Sequence, residues 1–261
     1  MITKGILLDF GYVIGFPIIG VEWKYLYMDW NGIKSILKDE ELKHRLQQNT
    51  SYEELEAFFN KEIYNVFKKH EKTDFIDPQS NSLLLNRLHL VFRRPITQQI
   101  VDRILDHINT MKYINIDPES IKVIAELKKK GYRLSLVSNM MLPGKLLKAK
   151  LQETNALSIF DNIAISSDVG YLKPHPEIFI HTMKQLNLKA DELVFIGDTY
   201  KQDIVGAKKV GIRTIWLNTR KEPKEIAMNN LPDYEITKLS DLIKIKQTTG
   251  YAGGHVMKAM P

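Results

Sequence analysis

Several apolar runs in this 261-residue chain end on side chains that handle phosphate, metal ions or protons. GILLD closes on Asp9, RLSLVSN on Ser138 and Asn139, and LVFIGD on Asp198, with Asp203 five positions further on. In GYLKPHPEIF, Lys173 stands just ahead of Pro174. Each residue alone has an ordinary explanation. An Asp or Ser after a strand caps the next turn or helix, and a single Lys before Pro is a surface residue. Their joint placement is harder to dismiss, because the carboxyl ends of parallel strands converge on one crevice. Carboxylates gathered there repel one another unless a cation sits among them.

The elements that must position these residues follow from the pattern around them. GILLD is a short buried strand, and GYVIGFPIIG (11–20) is a loop. Residues 21–112 are helical in period and lack strand signals. YEELEAFFNKEIYNVFKK sets Leu55, Phe58, Phe59, Ile63 and Phe67 near one face, and ITQQIVDRILDHINTM does so with Ile100, Ile104, Leu105 and Ile108. From residue 115 strand and helix alternate. DPESIKVIAELKKKG (117–131) starts on an acid followed by Pro and stops at Gly131. Strands at 133–139, 163–165, 193–196 and 213–217 are separated by helical segments, and PDYEITKLSDLIKI (232–245) adds a last strand and helix. This alternation predicts an α/β fold, a parallel sheet covered by helices. Asp9 and Ser138 are 129 positions apart, but Ser138 and Lys173 only 35, so an extra domain is inserted after the first strand. The predicted partition is a core of 1–15 and 115–246, a helical insert of 16–114, and a glycine-rich tail of 247–261.

Composition narrows the field little further. There is no cysteine, which excludes disulfides, thiolate metal sites and thiol nucleophiles and suits a cytoplasmic location. No run of about 18 apolar residues predicts a membrane span, and the N-terminal apolar run is too short for a signal peptide. The net charge of +6 is spread out, with Lys128–Lys130 the densest run, at a solvated helix end. Aromatic and basic residues are not interleaved as in single-strand binders, so no nucleic acid is expected. The insert carries the basic residues Lys24, Arg87, Arg93 and Arg94; an Arg pair could grip a carboxylate or second phosphate, but Arg93–Arg94 before Pro95 read more simply as solvated residues at a helix end.

The segments ILLDFGYVI, LVSN, GYLKPHPEIF and FIGDTYKQDIVGAKKVG resemble, in order, the four motifs of the haloacid dehalogenase superfamily. The resemblance implies a three-layer Rossmann-like core with a helical type-1 cap that closes over small substrates. It implies that Asp9 attacks phosphorus to form an aspartyl-phosphate. Mg2+ would be held by Asp9, the Gly11 carbonyl and Asp198, with Asp203 binding a magnesium water or orienting Lys173. Ser138 and the Asn139 N–H would bind phosphoryl oxygens, and Lys173 would offset the charge. The substrate expected is a small phosphorylated metabolite such as a sugar phosphate. One position departs from the pattern. Gly11 stands where most phosphatases of the family carry a second Asp, the general acid and base, a role worth about 10²–10⁴-fold. Tyr12 and His175 are candidate substitutes, each with a plainer reading as a packed aromatic and a loop residue. Three readings stay open: a phosphate monoester hydrolase, a 2-haloacid dehalogenase that needs neither acid nor metal, and a binding or regulatory protein. Five of the six catalytic positions in order favour the first.

Overall fold

The computed structural model describes residues 3–21, 28–47, 50–77, 79–219 and 232–243. The tail from 247 onward, Lys24 and the end of the 232–245 segment lie outside these residues.

The wholly apolar GILL forms β1 (Gly5–Leu8). A tight loop follows, in which the Phe10 carbonyl accepts from the N–H groups of Ile14 and Gly15 at 3.0 and 2.9 Å. The Phe10 ring lies so close to the chain that a Cβ at Gly15 would sit 2.4 Å from it. The chain then enters β2 (Gly15–Pro17), paired antiparallel with β3 (Ile114–Ile116). This ribbon corrects the reading of 11–20 as plain loop. Three residues that include Gly and Pro carry no strand period, and the partner strand is distant in sequence.

Between β2 and β3 the elements among the described residues are helical: α1 (Trp30–Ile36), α2 (Glu40–Arg45), α3 (Tyr52–Phe58), α4 (Asn65–Thr73), α5 (Ser80–Arg87) and α6 (Gln98–His107). A π-helical turn, Phe59–Tyr64, joins α3 to α4. Ser51 and Glu54 cap α3 reciprocally. The apolar residues named above on α3, α4 and α6 are all buried.

The alternating part contains α7 (Pro118–Lys129), β4 (Arg133–Ser138), α8 (Gly144–Glu153), β5 (Asn162–Ile165), α9 (Ser166–Val169) and α10 (Pro176–Leu186). It continues with β6 (Leu193–Gly197), a π-helical turn (Tyr200–Val205), α11 (Gly206–Lys209), β7 (Arg213–Leu217) and β8 (Tyr234–Ile236). Asp117 caps α7 through the Ser120 N–H, and Gly131 beyond its end takes φ +88°, where a side chain is strained.

The main sheet runs β5-β4-β1-β6-β7-β8, every pairing parallel. Its two faces bury different cores, as the two-residue period of a strand requires. Leu7, Val137 and Phe195 pack with Ile178, Phe179 and Leu186 of α10 on one side. Ile6, Leu8 and Leu136 pack with Ile124 of α7 and Leu147 of α8 on the other. Helix, sheet, helix is a three-layer Rossmann-like α/β fold. The second core runs without a break into Ile33, Leu55 and Ile104 of the helices between β2 and β3. From β1 the strand order departs in both directions, to β4 on one side and β6 on the other, which opens a crevice at their carboxyl ends.

Candidate active site

Asp9 follows β1 directly and continues its ladder, its N–H donating to the Ile196 carbonyl at 2.9 Å. Ser138 is the buried last residue of β4, and Asp198 follows the last residue of β6. Asp203 lies within the π-helical turn after β6, a little past the helix start expected from sequence. That wider turn brings its side chain back over the strand end. A Cβ at Gly197 would meet the Asp203 carboxylate at 2.3 Å, so only glycine admits this approach. The Asp203 carboxylate also accepts the Thr199 N–H at 2.9 Å, which fixes its orientation. The Trp216 indole holds the same strand end by donating to the Asp198 carbonyl at 2.9 Å.

Lys173 joins these pieces. Its Nζ lies 2.7 Å from Asp9 Oδ1 and 2.7 Å from Asp203 Oδ1, with all three side chains buried. Burial works against the lysine charge, but Asp203 and Asp9 outweigh it and raise its pKa. Burial pushes the Asp203 carboxyl up, and the neighbouring charges of Asp9 and Asp198 add to that push against the pull of Lys173. Oxygens of Asp9, Asp198 and Asp203 lie within 4.8 Å of one another. The two buried carboxylates Asp9 and Asp203 share one ammonium, which leaves negative charge in excess, and oxygen donors at this spacing fit a hard divalent cation.

Asn139 makes a contact that the sequence did not signal. Its side chain grips the Lys173 peptide from both ends: Oδ1 accepts the Lys173 N–H at 2.7 Å, and Nδ2 donates to the Lys173 carbonyl at 2.9 Å. The end of β4 therefore sets where the lysine begins. The inserted helices reach the same loop. The Leu172 N–H donates to the Phe75 carbonyl at 2.7 Å, and the Asp77 N–H to the Gly170 carbonyl at 3.0 Å.

Beside the cluster lies a cleft of about 180 Å³ walled by Phe10–Tyr12, Gly15 and Pro17, Thr110–Met111 and Ile114, and Ser138–Leu142. Gly11 and Tyr12 both line it, and Tyr12 takes a left-handed φ of 56°. His175 does not line it. Its Nδ1 accepts the Glu177 N–H at 3.2 Å as the cap of α10, and its ring stacks on Tyr171 at 4.5 Å. Thr110 and Met111 carried no sequence signal, because they reach the cleft only through the β2–β3 ribbon.

A model of haloacid dehalogenase-like hydrolases matches residues 33–217. The match begins beyond Asp9, so that position rests on geometry. The glyceraldehyde 3-phosphate phosphatase of Pyrococcus furiosus is 30% identical over 173 residues, 64% of this chain and 69% of its own length. A HAD phosphatase from Thermococcus onnurineus superimposes with a TM-score of 0.58 at 26% identity, covering 93% of this chain and 97% of its own. A 2-haloacid dehalogenase from Pseudomonas syringae reaches 0.64 at 18% identity over 95% and 99%, a likeness of fold alone.

Proposed function

Because the chain belongs to the haloacid dehalogenase-like hydrolases, we propose that it hydrolyses a small phosphate monoester, with Asp9 as nucleophile. The observation that carries this reading is the buried contact of Lys173 with Asp9 and Asp203 at the strand ends, one wall away from a small cleft. The relatives named phosphatases support the choice of phosphate.

In this mechanism Lys173 holds Asp9 in place and compensates the charge that builds as the ester approaches. Ser138 hydrogen-bonds a phosphoryl oxygen, and the Asn139 N–H assists while its side chain anchors Lys173. Asp9, Asp198, Asp203 and the Gly11 carbonyl would hold Mg2+, which would supply charge neutralisation at the phosphoryl oxygens. Asp9 then attacks phosphorus, the ester oxygen departs with its electron pair, and water hydrolyses the aspartyl-phosphate. Residues 16–114 act as the cap that excludes bulk water, and the protein works in the cytoplasm.

Hydrolysis of p-nitrophenyl phosphate with and without magnesium tests the reading. Asp9→Asn is expected to lower kcat by at least about 10⁴-fold, as loss of an attacking group does, and chelation to abolish turnover. Chloride release from a 2-haloacid that ignores chelator would replace the phosphatase reading with the dehalogenase one.

A further inference from the structure

The cleft next to the cluster has an unusual lining. Among the described residues it is walled by Phe10, Pro17, Met111, Ile114, Met140, Met141 and Leu142, with Tyr12, Thr110, Ser138 and Asn139 as its polar side chains. No Lys, Arg, His, Asp or Glu among the described residues faces it. This lining constrains both the group that fills the cleft and the protons available to it.

A carboxylate or a second phosphate on the leaving group would find no cationic side chain there among the described residues, which is unfavourable in an apolar cleft. Methionine, leucine and aromatic side chains instead favour an uncharged, largely apolar group. The volume of about 180 Å³ falls below the ~300–1,000 Å³ of pockets for drug-sized ligands, so the group is small.

When Asp9 takes the phosphoryl group, the P–O bond to the leaving group breaks and that oxygen keeps the electron pair. A carboxylic acid or imidazolium beside it would protonate it as it leaves. Neither stands in the cleft among the described residues. Asp9 and Asp203 are held by Lys173, and His175 is spent on a helix cap. Asp117 and Glu119 line a separate groove that shares only Tyr12 with the cleft. A phenol with a pKa near 10 is a poor acid at neutral pH. With no such acid among the described residues, the oxygen leaves as an anion and collects its proton from water.

Resting on the phosphatase reading, we infer that the substrates are phosphate esters with a small, uncharged, apolar leaving group that is a weak base, as in an aryl phosphate. Alkyl phosphates and phosphorylated carboxylic acids are poor substrates.

The measurement is kcat/KM, which reports the transfer to Asp9, across substituted phenyl phosphates, a size-matched alkyl phosphate, phosphoglycolate and pyrophosphate. With magnesium present, kcat/KM is expected to fall steeply as the leaving-group pKa rises, and to be at least about 100-fold lower for the alkyl ester, the span a general acid bridges. Gly11→Asp provides a second arm. A Cβ at Gly11 meets nothing within 4 Å, so a side chain can start there without a clash. The variant should raise the ratio of alkyl to aryl kcat/KM tenfold or more. A flat dependence on leaving-group pKa in the parent, or a preference for phosphoglycolate or pyrophosphate, overturns the inference but leaves the phosphatase reading standing. Failure to hydrolyse even the most activated aryl phosphate overturns both.

Discussion

Two polar clusters of similar geometry have very different surroundings in this molecule. At the strand ends Lys173 bridges Asp9 and Asp203 at 2.7 Å each. Among the helices between β2 and β3, Ser35, His107 and Asp39 form a chain: Ser35 Oγ to His107 Nδ1 at 2.6 Å, His107 Nε2 to Asp39 Oδ2 at 2.8 Å. On distances alone the second resembles a nucleophile, base and acid relay. Its members are already used elsewhere. The Ser35 hydroxyl donates to the Gly32 carbonyl at 2.6 Å, so its proton is committed within α1. Asp39 accepts the Leu42 N–H as the cap of α2 and pairs with Arg103 at 2.7 Å. Burial works against its charge, but the bonds from Arg103, His107 and Leu42 hold its carboxyl well below the usual range. Every charge there is satisfied, and neither Ser35 nor His107 lines the cleft. The strand-end cluster is the opposite case, with buried carboxylates in excess beside a cleft. Unspent charge next to a cleft distinguishes a site from a structural network better than pairwise distances do.

The comparison is most exposed to breakage at Lys173. Lys173→Met leaves two buried carboxylates facing each other, and removing one partner of a buried pair costs about 3–5 kcal/mol. Turnover of p-nitrophenyl phosphate should vanish, and thermal melting should show magnesium recovering part of the lost stability. If the variant turns over at the parental rate, the cluster is structural too.

Asn139→Ala should sharpen the contrast. It removes the grip on the Lys173 peptide while leaving the charges in place, and loss of such a supporting contact costs about 10–100-fold in activity. The loss should appear in kcat/KM with little change in melting temperature.

Asp77 lies where the inserted helices meet the Lys173 loop, and its carboxyl is raised by burial from 3.8 to about 6. A raised acid destabilises the folded state once it must ionise. The cost is absent below pH about 4, grows up to about 6, and stays constant above. Asp77→Asn keeps the acceptor for the Gln79 N–H. It should gain about 1–3 kcal/mol at pH 8, and melting curves should show the gain fading as the pH falls toward 4.

The smallest effect belongs to the decoy cluster. His107→Ala should leave phosphate hydrolysis within twofold of the parent and cost about 1 kcal/mol of stability. A large loss of kcat would place that cluster in the chemistry.

Much of the candidate site's framework was legible in the chain. Apolar runs closing on Asp9, Ser138 and Asp198 declare buried strands with polar ends, because a strand covered on both faces tolerates little else until it emerges. The helical stretch declared itself through Leu55, Phe59 and Ile104 at helical spacing. Other features left no local trace. The β2–β3 ribbon joins Gly15–Pro17 to a strand a hundred residues away, and its pairing depends on a partner that no local pattern records. The same holds for the double grip of Asn139 on Lys173 and for the placing of Thr110 and Met111 on the cleft wall. The sequence alone determined which residue types stand at the strand ends, and that Gly11 brings no acid to them. Tertiary structure alone decided which of them meet, that Lys173 faces two carboxylates at once, and that the adjoining cleft carries no charge among its described residues. Periodicity and end signals are short-range properties of a chain, whereas charge balance and cleft lining are sums over segments that only folding brings together.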